Sequence, residues 1–354
     1  VYVQKPLTHS VYESRVLLEA SRKYKVVTQM GNEGHSSHSV ADVCELIWSG
    51  AIGEVNQVEA WTDRPIWPQG LTRPAQGMWL PENINWELFI GPAAMRPYHS
   101  AYHPWNWRGW WDFGTGALGD MACHVLDVAF SALKLGYPNT LEASSSAFNN
   151  ESAPNSSLIR YNFPERLSIG KLKMPSVNLT WYDGGLSPSR PDSLPDGMEL
   201  GQGKNGVLFH GTKGKLACGN YGSNYKLLPE DKFAKLTMPP KTLRRVEGSH
   251  EMDWVRSCKE SAENRILPLS NFEYACPLNE MVVMGNLAVR LQGLRKKLKW
   301  DGDNMTFTNL SDEDKIMVAN GIPGAEPKNI ELNAKKFVAE LLRTNYRQGW
   351  DLKI

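Results

Sequence analysis

The sequence lacks the short glycine motifs that mark several large enzyme classes. No GxGxxG follows a predicted strand, and no phosphate-binding loop of the pattern GxxxxGK[ST] occurs. The nucleophile elbow GxSxG is also missing. The sequence therefore carries no direct sign of a complete dinucleotide site, of a P-loop nucleotide hydrolase or of a serine hydrolase with that elbow.

Cysteine is scarce and dispersed. The sequence has no CxxC pair and no HExxH motif, and its five cysteines are Cys44, Cys123, Cys218, Cys258 and Cys276. An odd, scattered set argues against a disulfide framework and against a structural zinc site. We therefore predict no metal centre.

The chain has neither a dominant charge nor a long apolar run. Its 39 basic side chains nearly balance 38 acidic ones, for a formal net charge of +1. That balance gives no reason to expect nucleic acid or an acidic membrane surface as a partner. No apolar run approaches the roughly 18 residues that a membrane helix needs, and the composition is typical of a globular enzyme.

The first residues show alternating strands and helices, which is typical of a parallel α/β sheet. The predicted elements are a strand at 1–3, a helix at 11–24 capped by Thr8 or Ser10, a strand at 26–30 and a helix at 37–49. A chain rarely begins inside a buried strand. We therefore interpret residues 1–54 as the last part of a Rossmann-type dinucleotide-binding domain that begins before Val1.

From residue 55 the pattern is that of an α+β domain with a large, mainly antiparallel sheet. A strand at 55–61 precedes a Pro- and Trp-rich passage to about 111, with one helical turn at 86–90, and then a helix at 116–133. Strands are predicted at 142–148, 157–162, 167–173, 177–182, 206–210 and 215–219, and helices at 250–261, 274–298 and 333–346. Residues 55–354 are thus predicted to form a substrate-binding and oligomerisation domain.

Lys5 lies between the first predicted strand and the first predicted helix. Ligands of doubly wound sheets bind at the carboxyl ends of the strands, so Lys5 would point into a crevice there. Pro6 holds the Lys5 backbone in an extended conformation. A lysine in this position can exchange a proton with a substrate hydroxyl, although a surface lysine in a loop explains the same residues.

A glycine-rich segment at 114–124 carries an acid and a histidine four residues apart. Asp120 and His124 lie on the same face of the predicted helix, one turn apart. A carboxylate beside an imidazole can orient the ring and favour its charged form, as a proton relay requires. Asp127, three residues further on, could also reach His124. The competing interpretation is a helix start with a favourable acid and a core-facing histidine.

Amides and indoles supply further candidate contacts. Gln29 and Asn32, at the end of the second predicted strand, could position a cofactor's carboxamide or a sugar hydroxyl, although an ordinary turn explains them nearly as well. Two clusters at 61–67 and 105–112 contain several of the 13 Trp residues, interleaved with polar side chains. Flat indoles with polar neighbours suit a polyhydroxylated ligand, and core packing is the alternative.

Together these segments resemble the glucose–fructose oxidoreductase/inositol dehydrogenase (Gfo/Idh/MocA) family. The resemblance rests on Val1-Tyr2-Val3-Gln4-Lys5-Pro6-Leu7, on the turn at 28–34 and on residues 114–127. It implies an oxidoreductase in which Lys5 is the acid or base, His124 relays the proton or binds at the reacting hydroxyl, and Asp120 positions substrate and ring. The family usually has Glu-Lys-Pro, so Gln4 removes a charge that could tune Lys5.

The resemblance also implies a cofactor and its contacts. The cofactor would be NAD or NADP, with its main binding segment outside this chain, beside Gln4, Lys5, Pro6, Gln29 and Asn32. The implied substrate contacts are Arg64, Trp67, Trp107, Arg108, Asp120 and His124. Members with a similar Trp-rich loop and GTGALGDMACH segment are bacterial proteins that act on sugars and glycosides. Some of them are exported, so the compartment, cytoplasm or periplasm, stays open.

Three functions are compatible with these residues. The leading one is hydride transfer at a secondary hydroxyl of a sugar or glycoside, with Lys5 and His124 handling the proton. A redox-neutral, NAD-dependent glycosidase would need the same residues, and a non-catalytic sugar-binding or assembly fragment is the third. A conventional hydrolase would need a carboxylate pair that we do not identify. We also expect homo-oligomers that associate through the sheet face, since an open sheet with a flat apolar side often serves this role.

Overall fold

The computed structural model describes residues 1–352. Its first elements are β1 (Tyr2–Val3), α1 (Val11–Tyr24), β2 (Gln29–Met30), a 3-10 helix (Glu33–Ser36) and α2 (His38–Trp48). β1 and β2 are parallel, with Tyr2 opposite Gln29. This order confirms the predicted parallel α/β arrangement, although β2 is shorter than the strand predicted at 26–30.

Helix α1 begins at a reciprocal cap. Ser10 Oγ accepts a hydrogen bond from the Glu13 backbone N–H at 3.3 Å, and the Ser10 N–H donates to Glu13 Oε2 at 2.9 Å. Such a capping box satisfies two of the N–H groups that a helix start leaves without partners. The helix predicted at 11–24 is confirmed, and Ser10 rather than Thr8 is its cap. The cap sets the point at which the chain leaves the loop after β1.

Nine strands from the rest of the chain form one sheet, in the order β11-β10-β9-β3-β8-β5-β4-β12-β13. The strands are β3 (Val55–Trp61), β4 (Thr140–Ser145), β5 (Ser157–Phe163), β8 (Val177–Tyr182), β9 (Gly206–Gly211), β10 (Lys215–Cys218), β11 (Lys226–Leu228), β12 (Leu298–Asp301) and β13 (Thr306–Phe307). Only β3 and β8 are parallel neighbours. The prediction of a large, mainly antiparallel sheet is therefore confirmed.

Helices and two small hairpins complete the chain. The helices are α3 (Trp86–Ile90), α4 (Gly116–Val125), α5 (Asp127–Ala132), α6 (Glu230–Phe233), α7 (His250–Lys259), α8 (Phe272–Leu291) and α9 (Ala334–Arg343). Short 3-10 helices span Asn106–Gly109, Asn220–Gly222 and Gln292–Leu294. The hairpins pair β6 (Arg166–Ile169) with β7 (Leu172–Met174) and β14 (Lys315–Ala319) with β15 (Asn329–Asn333).

Two predicted elements are interrupted in the structure. The helix predicted at 116–133 divides at Leu126 into α4 and α5, but the Leu126 N–H still bonds to the Ala122 carbonyl at 2.8 Å, so the interruption is slight. The single strand predicted at 167–173 is wrong. The chain reverses there at Gly170, whose φ of +57° suits glycine, and the segment forms the β6–β7 hairpin.

One buried apolar cluster joins the first 54 residues to the large sheet. It extends from Leu7 to Leu342 and includes most of α8. In β8, Val177, Leu179 and Trp181 face this core in alternation with more exposed residues, as the two-residue period of a strand requires. Because the core is continuous, packing shows no break between residues 54 and 55, and the division into two domains there stays a prediction.

The outer face of the central strands is polar, not flat and apolar as expected. Arg160 lies 3.8 Å from Glu142, and Glu59 Oε2 lies 2.8 Å from His210 Nε2. Lys215 Nζ in turn donates to His210 Nδ1 at 2.8 Å. Cross-strand pairs of opposite charge of this kind stabilise a sheet modestly.

Residues 1–352 contain neither a candidate membrane-spanning helix nor a candidate metal-binding cluster. No helix of this part has the length and apolar character needed to cross a bilayer. Within the same residues, no group of three or more His, Cys, Asp or Glu side chains is arranged to hold a metal ion.

Candidate active site

Lys5 follows β1 and reaches the middle of α4. Its Nζ donates to the backbone carbonyl of Asp120 at 2.8 Å and to Asp120 Oδ1 at 3.0 Å. The two side chains are only 17% and 13% exposed. Residues that lie 115 positions apart in the chain thus form one partly buried ion pair at the carboxyl end of a parallel strand.

Arg108 binds the same carboxylate and contacts three tryptophan rings. Its Nε donates to Asp120 Oδ1 at 3.2 Å. The guanidinium carbon lies 4.1 Å from the ring centroid of Trp105, 4.7 Å from that of Trp107 and 5.8 Å from that of Trp67. Four of the expected substrate contacts therefore meet in one place, and the half-exposed Trp105, which the sequence did not single out, joins them.

Arg64 and Trp67 form hydrogen bonds with residues outside the Lys5–Asp120 pair. Arg64 Nη1 donates to the neighbouring Asp63 carboxylate at 2.5 Å. Trp67 is buried, and its indole N–H donates to Gln69 Oε1 at 3.0 Å. Trp67 thus forms part of the wall behind Arg108, whereas the structure records no contact of Arg64 with the Lys5–Asp120 pair.

His124 lies one turn beyond Asp120 on α4, and its hydrogen-bond partner is a tyrosine. Its Nδ1 shares a hydrogen bond with the hydroxyl of Tyr221, and its Nε2 makes no hydrogen bond to any residue from 1 to 352. Burial, and then the Lys5 charge, lower the pKa of His124 to about 4. Burial raises the pKa of Tyr221. At neutral pH both groups are therefore uncharged, and Asp120 does not orient the ring as the sequence suggested.

Tyr221 reaches His124 because two turns fit closely together. Its backbone φ is +54°, in the left-handed region, within the 3-10 helix Asn220–Gly222. Its ring covers Gly34, where an added Cβ would lie 1.9 Å from Tyr221 Cδ2. Nothing in the local sequence of Tyr221 marks it as functional, because its role depends on a contact with a residue 97 positions away.

Asp127 binds residues other than His124. Its Oδ2 lies 2.8 Å from His35 Nδ1, and its Oδ1 accepts hydrogen bonds from Asn32 Nδ2 and from the Tyr274 hydroxyl, both at 2.9 Å. Asp127 and Asn32 are completely buried. This network fixes the turn after β2 behind the candidate site, and His35 and Tyr274 are members that the sequence did not predict.

The expected cofactor contacts divide into an exposed and a buried set. Gln4 is exposed at the end of β1, and its Oε1 lies over Gly31, where an added Cβ would be 2.5 Å away. Gln29 is buried, and its amide donates to the His250 carbonyl at 2.7 Å. Asn32 accepts a hydrogen bond from the Ser270 hydroxyl at 2.5 Å. Gln29 and Asn32 thus have partners within the protein, and Gln4 leaves its amide accessible.

The arrangement is suited to moving a proton at a hydroxyl or carbonyl oxygen. The Lys5 ammonium has three N–H donors, and Asp120 takes two of them. One donor is left for a ligand oxygen, and the neutral His124 ring keeps Nε2 free beside it. The indoles around Arg108 offer flat faces to a sugar ring.

One part of the chain matches a known protein family. Residues 39–160 match the model described as oxidoreductase family, C-terminal alpha/beta domain, of the Gfo/Idh/MocA group. No curated protein matches the sequence.

Two WlbA dehydrogenases of known structure share the fold at low sequence identity. The WlbA dehydrogenase from Bordetella pertussis, in complex with NADH and UDP-GlcNAcA, is 14% identical, with a TM-score of 0.50 over 85% of this chain and 73% of that chain. The WlbA dehydrogenase from Chromobacterium violaceum, with the same ligands, is 13% identical, with a TM-score of 0.50 over 86% and 71%. An inositol dehydrogenase homologue from Azotobacter vinelandii, complexed with NADH and myo-inositol, is 14% identical, with a TM-score of 0.48 over 85% and 71%.

Proposed function

We propose that this protein, whose residues 39–160 match the model of the oxidoreductase family's C-terminal alpha/beta domain, is an NAD- or NADP-dependent dehydrogenase or reductase of a carbohydrate. The reacting group is a secondary hydroxyl of a sugar or glycoside, or the corresponding carbonyl. The observation that carries the proposal is the cluster of Lys5, Asp120 and His124 at the carboxyl end of β1. That edge is where ligands of doubly wound sheets bind.

Lys5 is the proposed acid and base at the reacting oxygen. In reduction, the Lys5 ammonium donates a proton to the carbonyl oxygen through the N–H that Asp120 leaves free. In oxidation, the neutral amine of Lys5 accepts the proton of the hydroxyl. Lys5 and Arg108 together carry one more positive charge than Asp120 balances. That surplus stabilises the negative charge that develops on the oxygen while the proton moves.

His124 is the proposed hydrogen-bond partner of the reacting oxygen. With a pKa of about 4, its ring is neutral across the physiological range, so when the Tyr221 hydroxyl donates to Nδ1, Nε2 carries the ring proton and donates to that oxygen. The hydrogen bond to Tyr221 holds the ring in place, so Nε2 keeps a fixed position relative to Lys5. His124 therefore orients the hydroxyl for transfer of its proton.

The proposed sugar contacts are the side chains around Arg108. Trp105 is 47% exposed, and Trp107 is partly exposed. An apolar sugar face packs on such rings while the hydroxyls bind neighbouring polar groups. Arg108 and Asp120 supply a donor and an acceptor at the same place.

The residues at the ends of β1 and β2 fit one end of a nicotinamide cofactor. The cofactor supplies or accepts the hydride when it is bound. Gln4 offers an accessible amide across the two strand ends, and Lys5 and Pro6 follow it. The sequence has no GxGxxG after a strand, so these residues would hold the nicotinamide end, not the phosphates.

Measuring nicotinamide redox chemistry tests the proposal. The protein is mixed with NAD or NADP and a panel of sugars and glycosides, and the absorbance of reduced nicotinamide is followed. Lys5→Ala should lower the rate by about 10²- to 10⁴-fold, the usual contribution of a positioned acid or base. Lys23→Ala, at an exposed position on α1, is the matched control and should leave the rate unchanged.

Two results would contradict the proposal. One is turnover by Lys5→Ala at the control rate. The other is a folded protein that binds NAD or NADP but reduces neither cofactor with any sugar in the panel. Cleavage of a glycoside without net cofactor reduction would identify the redox-neutral glycosidase instead.

We further propose that copies of the protein associate through the outer face of the large sheet. The support is the cross-strand pair of Arg160 on β5 and Glu142 on β4, whose side chains are 53% and 38% exposed. Interfaces that form between folded subunits tolerate such polar pairs when partners on the second copy complement them.

A further inference from the structure

A second cavity, separate from the proposed active site, contains an arginine without a charged partner. Arg290 lies near the end of α8 and is partly buried. Its guanidinium carbon is 5.1 Å from the ring centroid of Trp111 and 4.9 Å from that of Phe337. It makes no hydrogen bond and no ion pair with any residue from 1 to 352. Burial lowers the pKa of Arg290 to about 10, although the side chain remains charged at neutral pH.

An arginine in this state is costly to a folded protein. Withdrawing a charge from water is unfavourable unless a counter-charge and hydrogen bonds replace the lost hydration. Two aromatic rings return only part of that energy through cation–π contact. A guanidinium without an ion pair therefore contributes little to stability. A bound ligand that supplies the missing negative charge and hydrogen bonds explains it more readily.

The guanidinium lines a cavity of about 280 Å³ between α8, α9 and the start of α4. The apolar side of its wall includes Val283, Leu287 and Leu341. The polar side includes His9 and Asn286. The volume is that of a site for a small molecule, and the mixture of walls suits a ligand with an apolar body and one polar end.

The polar residues of this cavity are already oriented. His9 Nε2 donates to the Trp111 carbonyl at 2.8 Å, and Asn286 Nδ2 donates to the Thr115 carbonyl at 2.8 Å. These bonds hold the two side chains against the segment that leads into α4. The cavity is therefore formed before any ligand enters.

The acids near Arg290 do not neutralise it. Asp112 lines the cavity but forms an ion pair with Arg96, which also lies 3.2 Å from Glu151. Glu340, on α9, is exposed to solvent. Arg290 therefore lines the cavity without an ion pair to any acid among residues 1–352, and Asp112 acts on it only through a longer-range charge interaction.

This cavity lies at the opposite end of α4 from His124. Thr115 precedes the helix and His124 is in its last turn. Nine residues of α-helix separate them by roughly 13 Å along the axis. A ligand bound at Arg290 therefore occupies a different place from a substrate whose hydroxyl lies at His124.

We propose that the cavity around Arg290 is a second ligand site, which binds a small organic carboxylate with an apolar body. A guanidinium matches the two oxygens of a carboxylate with two parallel N–H donors. The apolar wall of α8 and α9 then covers the body of the ligand. A phosphate dianion is disfavoured, because Arg290 is the only lysine or arginine among the described residues that line the cavity.

Binding of benzoate to the whole chain tests this site without any enzyme assay. Isothermal titration and ligand-observed NMR should show saturable binding of benzoate to the wild-type protein. Benzamide, of the same shape but uncharged, and inorganic phosphate should bind far more weakly. Arg290→Met should weaken benzoate binding by about tenfold or more, since it removes the paired donors. Arg295→Met, at an exposed position beyond the same helix, is the control and should bind as the wild type does.

The melting temperature provides a second, independent measurement. Arg290→Met replaces an unpaired charge with an apolar chain between two rings, so it should melt at the wild-type temperature or above it. Saturating benzoate should raise the melting temperature of the wild type but not that of Arg290→Met.

Three results would overturn the proposal. Equal benzoate affinity in the wild type and Arg290→Met would show that the guanidinium does not bind the carboxylate. Tighter binding of phosphate than of benzoate would refute the ligand class. No binding of benzoate, together with a lowered melting temperature for Arg290→Met, would make Arg290 a structural residue.

Discussion

At the residue scale, Asp120 organises the candidate active site because both Lys5 and Arg108 bind its carboxylate. It accepts hydrogen bonds from both Lys5 and Arg108, while its position on α4 places His124 one turn away. A shared carboxylate fixes both cations in a single geometry. On the proposed function, this arrangement keeps the proton donor and the sugar-facing indoles aligned without further movement.

The stability of the protein at acid pH should report the environment of His124. Its folded-state pKa of about 4 lies below the ordinary 6.5. As the pH falls below 6.5, the His124 ring becomes protonated in the unfolded chain but stays neutral in the folded protein. Stability therefore declines until about pH 4 and then levels off. At about 1.4 kcal/mol for each pKa unit, the full loss is about 3 kcal/mol.

Urea unfolding at pH 7 and pH 4 measures this effect. The wild type should lose more stability between these two conditions than His124→Gln, in which position 124 does not titrate. The excess should be about 3 kcal/mol at most. Equal losses in the two proteins would show that the His124 ring is as accessible to protons in the folded state as in the unfolded chain.

At the element scale, the site depends on two turns that come from distant parts of the chain. The 3-10 helix Glu33–Ser36 carries Gly34 against the Tyr221 ring, and the turn Asn220–Gly222 presents the Tyr221 hydroxyl to His124. The side chain of Tyr221 is therefore held between a backbone without a Cβ and a buried imidazole. Glycine is required at position 34 for this close approach, not for an unusual φ.

Gly34→Ala should displace the Tyr221 ring. The new Cβ would lie 1.9 Å from Tyr221 Cδ2, so the ring or the turn must move. Overpacking of this kind costs about 1 to 3 kcal/mol, and the movement should separate the hydroxyl from His124.

Thermal unfolding and the NMR signals of the His124 ring measure the two effects. Gly136→Ala is the matched control, because its Cβ would meet no atom within 4 Å. It should keep the wild-type melting temperature and ring signals. Unchanged His124 signals in folded Gly34→Ala would contradict the close fit of the two turns.

At the scale of the whole molecule, the two faces of the large sheet have different proposed roles: one supports the candidate active site, and the other binds a second copy of the protein. Its inner face packs on α8 and supports α4, which carries the candidate site. Its outer face carries complementary charges on neighbouring strands, and of these Arg160 and Glu142 are exposed, whereas Glu59 and His210 are mostly buried. Arg160 can therefore be changed without disturbing the core.

Reversing one charge on the outer face should weaken the proposed association of subunits. Arg160→Glu places two acids opposite each other on β4 and β5, where Glu142 now pairs with an arginine. Light scattering and sedimentation velocity should show an oligomer for the wild type and a shift toward monomer for Arg160→Glu. Lys171→Glu, at the turn of the β6–β7 hairpin, makes the same charge change elsewhere and should behave as the wild type does. A wild type that is monomeric at all concentrations would refute this interface.

The elements with strong local patterns were predictable from sequence. The helix at 11–24 and the strands at 55–61 and 177–182 match the structure, because caps and hydrophobic periods are local properties. The five strands β11 to β15 were missed. They are short or lie at sheet edges, so their conformation depends on neighbouring strands rather than on their own residues.

By itself, the sequence determined that Asp120 and His124 share a helix face and that Lys5 follows a strand. Only the tertiary structure decided their hydrogen-bond partners. Lys5 binds Asp120, and His124 binds Tyr221. Asp127 binds His35. The tertiary structure also placed Arg290 in a formed cavity without an ion pair to any residue from 1 to 352. The reason is physical. A helical period acts over four residues, whereas these contacts join side chains that lie about a hundred residues apart and meet only when the core has formed.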